Sequence, residues 1–140
     1  MNRFRVITNF DDMDMAVIHG FLSQSYWAKG IPQATLQKAL ENSLCFGLFD
    51  GEQQVGFARM VTDKATFAYL ADVFVLESHR GHGGAKTLMT AIMDHADLQG
   101  LRRMLLATRD AHSLYRQFGF TDLARPEIMM ELHRPDVYQA

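Results

Sequence analysis

The feature that most restricts the fold of this chain is an apolar run, residues 66–76, that passes directly into a glycine-rich turn. The run holds a single acid, Asp72, and so predicts a central strand covered on both faces. The turn reads Arg80-Gly81-His82-Gly83-Gly84-Ala85-Lys86. After it, Ala85, Leu88, Met89, Ile92 and Met93 recur on one side of a helix that Gly100 closes. A buried strand, a glycine turn and a helix in that order suit an anion. The first N–H groups of a helix lack internal partners, and its dipole favours negative charge there. Glycine lets the backbone approach a phosphate closely, and Arg80 and Lys86 add positive charge at either end. The segment reads as a pyrophosphate cradle.

Other elements follow from periodicity and turn chemistry. Residues 4–8 read as a first strand, and Asp11 or Asp12 caps a helix carrying Met15, Ile18, Leu22 and Tyr26 at helical spacing. Ala28-Lys29-Gly30 breaks that helix, and Pro32 opens a second one with Leu36, Ala39 and Leu40 inward. Residues 44–49 and 55–61 flank Asp50-Gly51, a dipeptide favoured in hairpins, with Glu52, Gln53 and Gln54 able to lengthen the loop. A second turn falls near Asp63-Lys64. After the glycine turn and its helix come a short strand at 104–107, a short helix at 111–117, and two last strands at Phe120-Thr121 and residues 128–132 around Pro126. The order is βααβββαβαββ, an α/β (α+β) chain with a mixed sheet and helices packed against it.

Two well-known glycine motifs do not fit. A P-loop needs Gly-x-x-x-x-Gly-Lys-Thr, but Ala85 precedes Lys86-Thr87 and Arg80 holds the leading position. The dinucleotide fingerprint would begin at Gly81-x-Gly83 and meets Lys86 where its third glycine belongs. The pattern Arg-x-x-Gly-x-Ala does fit, as Arg80, Gly83 and Ala85. With Asp72-Val73-Phe74-Val75 upstream and Leu114-Tyr115-x-x-Phe118-Gly119-Phe120 downstream, it resembles the acyl-CoA signature of the GNAT acetyltransferases. The resemblance covers the element order of almost the whole chain.

It implies a GNAT fold: a mixed, mostly antiparallel central sheet whose middle strands splay to admit pantetheine. By that resemblance Phe74 and Val75 offer backbone groups to pantetheine, while Arg80, Gly81, His82, Gly83, Gly84, Ala85 and Lys86 hold the pyrophosphate. Thr108 stands where the family often has Asn, and Ala111 and Tyr115 follow along the cofactor. The family favours an aliphatic residue at Gly84, so a glycine there implies a looser helix start, by up to about 1 kcal/mol relative to alanine. Tyr115 is the family's general-acid position, protonating the departing thiolate. Asp72, an acid within an apolar strand, is the leading candidate for the base that deprotonates the amine, with pairing to Arg59 as the structural alternative. Glu77 is a second candidate, and a water a third. Tyr26, Trp27, Arg59 and Tyr69 are candidates for the acceptor pocket.

Composition excludes other classes. The chain has 140 residues, the length of one domain spanning 1–140, and a net charge of −2. That balance argues against phosphate-driven nucleic-acid binding. No apolar run approaches a membrane span and no secretory pattern follows Met1-Asn2-Arg3-Phe4-Arg5, so a cytoplasmic location is expected. The single cysteine, Cys45, sits in Leu44-Cys45-Phe46 and reads as a buried, inert thiol. It lies far in sequence from the proposed centre, which leaves a covalent acyl-enzyme without support. The six histidines make no recognised metal spacing, so no metal is expected. Acetyl-CoA as co-substrate and a small-molecule primary amine as acceptor, joined by direct transfer in a ternary complex, are the expectation. A protein lysine or N-terminus as acceptor, or a non-catalytic acyl-CoA-binding regulatory module, are the alternatives. The resemblance also admits a homodimer.

Overall fold

The computed structural model describes residues 3–139; Met1 and Asn2, which open the N-terminal stretch read above, lie outside it. The elements are β1 (Phe4–Ile7), α1 (Met15–Leu22), α2 (Gln33–Glu41), β2 (Leu44–Asp50), β3 (Gln53–Thr62), β4 (Phe67–Val75), α3 (Gly84–Asp94), β5 (Arg103–Leu106) and α4 (His112–Arg116). The sheet runs in the order β1-β2-β3-β4-β5. Its first four strands pair antiparallel, and β5 joins β4 in parallel after the α3 crossover. The hairpins account for the antiparallel part. Asp50 pairs directly with Gln53, so the loop between β2 and β3 is only Gly51-Glu52, with Gly51 at φ 62°. At the next hairpin Asp63 accepts from the backbone N–H groups of Ala65, Thr66 and Phe67 and from the Thr66 hydroxyl. Those bonds hold its carboxyl below the usual carboxylate range.

Each face of the sheet buries its own cluster. Leu88, Met89 and Ile92 of α3 pack on Phe46, Leu48, Val55, Ala58, Met60, Ala68 and Leu70. Ile18 and Leu22 of α1, with Leu36 and Leu40 of α2, pack on Cys45, Phe57 and Phe74. Each fully buried aliphatic side chain of this kind contributes about 1.5–3 kcal/mol, which is why α3 and α1 can be short.

Three expectations change. The cap of α1 is Asp14, whose carboxylate accepts from Ala16 and Val17, while Asp11 and Asp12 lie in a preceding 3₁₀ turn capped by Asn9. The helix stops at Leu22 rather than continuing through Tyr26. The Ser25 hydroxyl donates to the Leu22 carbonyl at 2.7 Å and accepts from Ala28 N–H, and Gly30 turns at φ 79°. The chain thereby presents Tyr26 and Trp27 outward, 60% and 43% exposed. Finally, no strand follows β5 among the described residues, so Phe120-Thr121 and residues 128–132 are not strands. Phe120 packs against the α3-side core without pairing, whereas the later apolar side chains have no buried face to join: Met130 is 96% and Leu132 76% exposed, and a 3₁₀ turn at Pro126–Ile128 interrupts the extended chain.

Two irregularities of β4 build the site. The parallel ladder with β5 ends at Leu70–Leu106, although β4 continues to Val75. β5 itself ends at Leu106, so residues 71–75 of β4 have no ladder partner on that side, and the region between them and residues 107–111 is termed the gap. Second, Phe57 pairs with Phe74 but Arg59 with Ala71, so β4 carries one extra residue, a bulge at which Asp72 has φ 56°. Alternation from Ala68 and Leu70 would send Asp72 into the α3-side core. The bulge reverses the parity and turns Asp72 to the α1 side of the sheet.

Candidate active site

At one end of the gap lies the glycine turn. Gly81 and Gly83 have φ of 83° and 82°, left-handed values that glycine adopts without strain. Gly83 caps α3 with no side-chain bond to the helix, so the first amides of α3 face outward. Arg80 donates from Nε to the Val75 carbonyl at 2.9 Å, tying the turn to the end of β4 while its terminal nitrogens stay available. His82, Gly83, Lys86 and Thr87 line a groove beside these amides, with Arg3 and Val6 of the sheet edge opposite. Gly84 sits at the first turn of α3, close against the sheet. A Cβ there would stand 2.8 Å from Leu48 Cδ2 and 3.4 Å from Val75, so a side chain at this position requires Leu48 to shift.

The other wall of the gap is the segment from β5 into α4. Thr108 Oγ accepts from Ala111 N–H at 3.1 Å, fixing the start of α4, and can still donate its proton outward. Tyr115 is buried, its ring edge-on to Phe120 at 6.1 Å. Its hydroxyl makes no hydrogen bond within the described residues. Among the described residues no side-chain polar atom is sealed in without a partner, so that hydroxyl opens outward. Burial, and secondarily the charge of Asp110, push its pKa up, so Tyr115 stays a neutral donor at neutral pH.

On the α1 side, one network joins three of the expected acceptor residues to Asp72. Trp27 Nε1 donates to Asp72 Oδ1 at 2.8 Å and Arg59 Nε to Asp72 Oδ2 at 2.8 Å. Arg59 also reaches the Ser43 hydroxyl at 3.3 Å. Tyr26 packs edge-on to Trp27 with centroids 5.0 Å apart, and the Arg109 guanidinium lies 3.9 Å over the Tyr26 ring. Phe21 stacks on Phe74 at 4.1 Å, flooring this corner.

Comparison with known proteins bears directly on this arrangement. The profile of the GNAT acetyltransferase family matches residues 15–120. The chain belongs to the GNAT family. The crystal structure of a candidate GNAT acetyltransferase from Xanthomonas campestris pv. campestris is 52% identical, with a TM-score of 0.97 over 100% of this chain and 99% of that one. A Gibberella zeae protein named as a candidate acetyltransferase is 37% identical over 119 residues. That alignment covers 69% of this chain and 66% of the fungal protein. A candidate acetyltransferase from Deinococcus radiodurans R1, 20% identical over 96% of this chain and 90% of its own, shares the fold at a TM-score of 0.74. This GNAT protein is accordingly an acyltransferase, and its family generally uses acetyl-CoA.

Against that background the expected residues divide. In this GNAT enzyme Tyr26, Trp27, Arg59 and Asp72 meet in one network beside the gap. Tyr69 does not join it: it lies in the paired half of β4, opposite Val61 and Leu105, on an exposed part of the sheet. Glu77 is exposed in the 3₁₀ turn after β4. Sequence reasoning missed Phe21, Ser43, Arg109 and Asp110. Arg109 had one signal, its place immediately after Thr108. Cys45 is nearer the centre than its position suggested, since it opposes Arg59 across β2 and β3. Burial pushes its thiol up to about 12, however. The thiolate fraction at neutral pH is then about one part in 10⁵, too little for a nucleophile. Among the described residues no three His, Cys, Asp or Glu side chains gather as a metal site, and no helix is long and apolar enough to cross a membrane.

Proposed function

We propose that this enzyme transfers an acetyl group from acetyl-CoA to a small-molecule primary amine by direct attack in a ternary complex in the cytoplasm. The observation that carries the reading is the end of the β4–β5 ladder at Leu70–Leu106, five residues before β4 itself ends. We read this open edge as a slot with the glycine turn at one end and Tyr115 on its wall. The pyrophosphate binds the amides at the start of α3, with Arg80, His82 and Lys86 supplying donors and charge. The pantetheine amides pair with the edge of β4 near Phe74 and Val75 that β5 leaves open, past Thr108 and Ala111. Holding thioester and amine together in this slot supplies much of the rate.

The amine reaches the thioester from the side of Tyr26 and Trp27, after losing its proton to solvent. Asp72 enters this scheme as the anchor of Trp27 and Arg59 rather than as the base, because both its oxygens already accept bonds. When the C–S bond breaks, the thiolate leaves next to Tyr115. A phenol above 10 facing a thiol near 8.5 makes full proton transfer unfavourable by at least about 2 kcal/mol. Tyr115 therefore acts chiefly as a neutral hydrogen-bond donor to the developing thiolate, and water completes the protonation.

The test is calorimetric titration with acetyl-CoA, then thiol release across a panel of primary amines, for the wild type and Tyr115→Phe. Expected are micromolar binding by both proteins, turnover with one amine class, and a loss of about 10²-fold in kcat for the variant. Absence of acetyl-CoA binding would overturn the assignment of the slot.

A further inference from the structure

Arg109 and Tyr26 form a contact that the acetyl-transfer scheme does not use. Tyr26 lies in the loop between α1 and α2, and its neighbour Trp27 is bonded to Asp72 on the β4 side of the gap. Arg109 lies between β5 and α4, on the opposite side. The 3.9 Å guanidinium–ring contact therefore spans the gap where an acceptor has to arrive.

The charges at this mouth are unequal. Arg59 is neutralised by Asp72 at 2.8 Å. Arg109, by contrast, has no carboxylate within ion-pair distance among the described residues and no hydrogen bond; its packing partner is the face of an aromatic ring. A guanidinium stacked on a ring keeps its in-plane N–H groups free, and those form the fork that receives a carboxylate through two parallel bonds. The stack also limits the guanidinium's motion, which lowers the ordering cost of that recognition.

We propose that Arg109, held by Tyr26, is a specificity residue that binds a carboxylate of the acceptor, so that the preferred acceptors are amino-acid-like amines. This rests on the acetyl-transfer reading, but it can be tested by binding as well as turnover. Trp27 is the single tryptophan of the chain and packs on Tyr26, so its emission reports occupation of this mouth.

The experiment uses molecules that differ only by the carboxylate. L-Phenylalanine and phenethylamine serve as acceptors, and their N-acetylated forms are titrated in the presence of CoA while Trp27 emission is followed. The wild type is expected to bind the carboxylated member at least 10-fold more tightly and to use its amine with a correspondingly lower KM. Arg109→Gln should erase that difference while acetyl-CoA affinity stays within twofold, and Arg109→Lys should restore only part of it. Equal wild-type binding of the two members, or an Arg109→Gln variant that weakens both alike, overturns the proposal. Preserved carboxylate discrimination in binding, with no acetyl transfer to any amine, upholds Arg109 and overturns the proposed reaction instead.

Discussion

Replacing Asp72 by Asn separates a structural role for this acid from a catalytic one. The substitution keeps the size of the side chain and an acceptor for Trp27, and Asn tolerates the left-handed φ of 56° about as well as Asp. What it removes is the charge facing Arg59. The two side chains are only 9% and 19% exposed, so the pair is largely withdrawn from water. Removing one partner of such a pair costs about 3–5 kcal/mol. Ser43 still receives the guanidinium and some solvent reaches it, which places the expected loss near the lower end, about 3 kcal/mol. For a chain of this length that corresponds to a fall of about 10 °C in Tm. Removing the orphaned cation as well, in Arg59→Met with Asp72→Asn, should recover at least half of the loss, because no uncompensated buried charge then remains. Thermal unfolding by circular dichroism compares both variants with the wild type. The reasoning would be refuted by an Asp72→Asn protein that melts within about 3 °C of wild type but loses more than 100-fold in kcat. Such a result would mean that the carboxylate is released from Arg59 and Trp27 in the working enzyme and serves as the base.

Two shorter expectations follow from packing and burial. Gly84→Ala should destabilise the protein by about 1 kcal/mol, since crowding against the buried Leu48 costs 1–3 kcal/mol and outweighs the gain in helix propensity; urea unfolding decides, and a stabilised variant would show that Leu48 gives way. Cys45 has a folded pKa raised to about 12 against an ordinary 9.0, so the contribution of its neutral thiol to stability is complete below about pH 9 and is lost as pH climbs towards 12. Below pH 9 Cys45 should react with a disulfide reagent only as fast as the protein unfolds, and rapid labelling of the native state would contradict its burial.

The parts of this enzyme that were legible in the sequence are those in which a local pattern and its structural consequence coincide. Residues 80–86 carry glycines whose torsions, exposed amides and flanking charges are all properties of a few consecutive residues. The α3 stripe and the Asp50-Gly51 hairpin are equally local. The acceptor side is different, because its geometry arises from a parity change. Nothing in the order Ala71-Asp72-Val73 announces a bulge, since a left-handed Asp is tolerated without a glycine to mark it. Alternation alone would have buried Asp72 against α3. The bulge instead brings it to Arg59 and Trp27, two residues separated from it by 13 and 45 positions. Arg109 meets Tyr26 only because the loop after α1 closes back through Ser25 and Gly30. The C-terminal strands failed for the converse reason: residues 128–132 have strand-like composition, but a strand also needs an edge to pair with and a face to bury, and Met130 and Leu132 have neither here. The same bulge and the same ladder ending join the two halves of the site. Where β4 loses β5 it exposes an edge suited to pantetheine, and at the bulge one residue beyond Ala71 it turns an acid outward to fix the aromatic wall of the acceptor side. A substitution that straightened β4, such as deletion of Val73, should therefore disturb acetyl-CoA affinity and acceptor discrimination together, whereas Arg109 variants disturb the second alone.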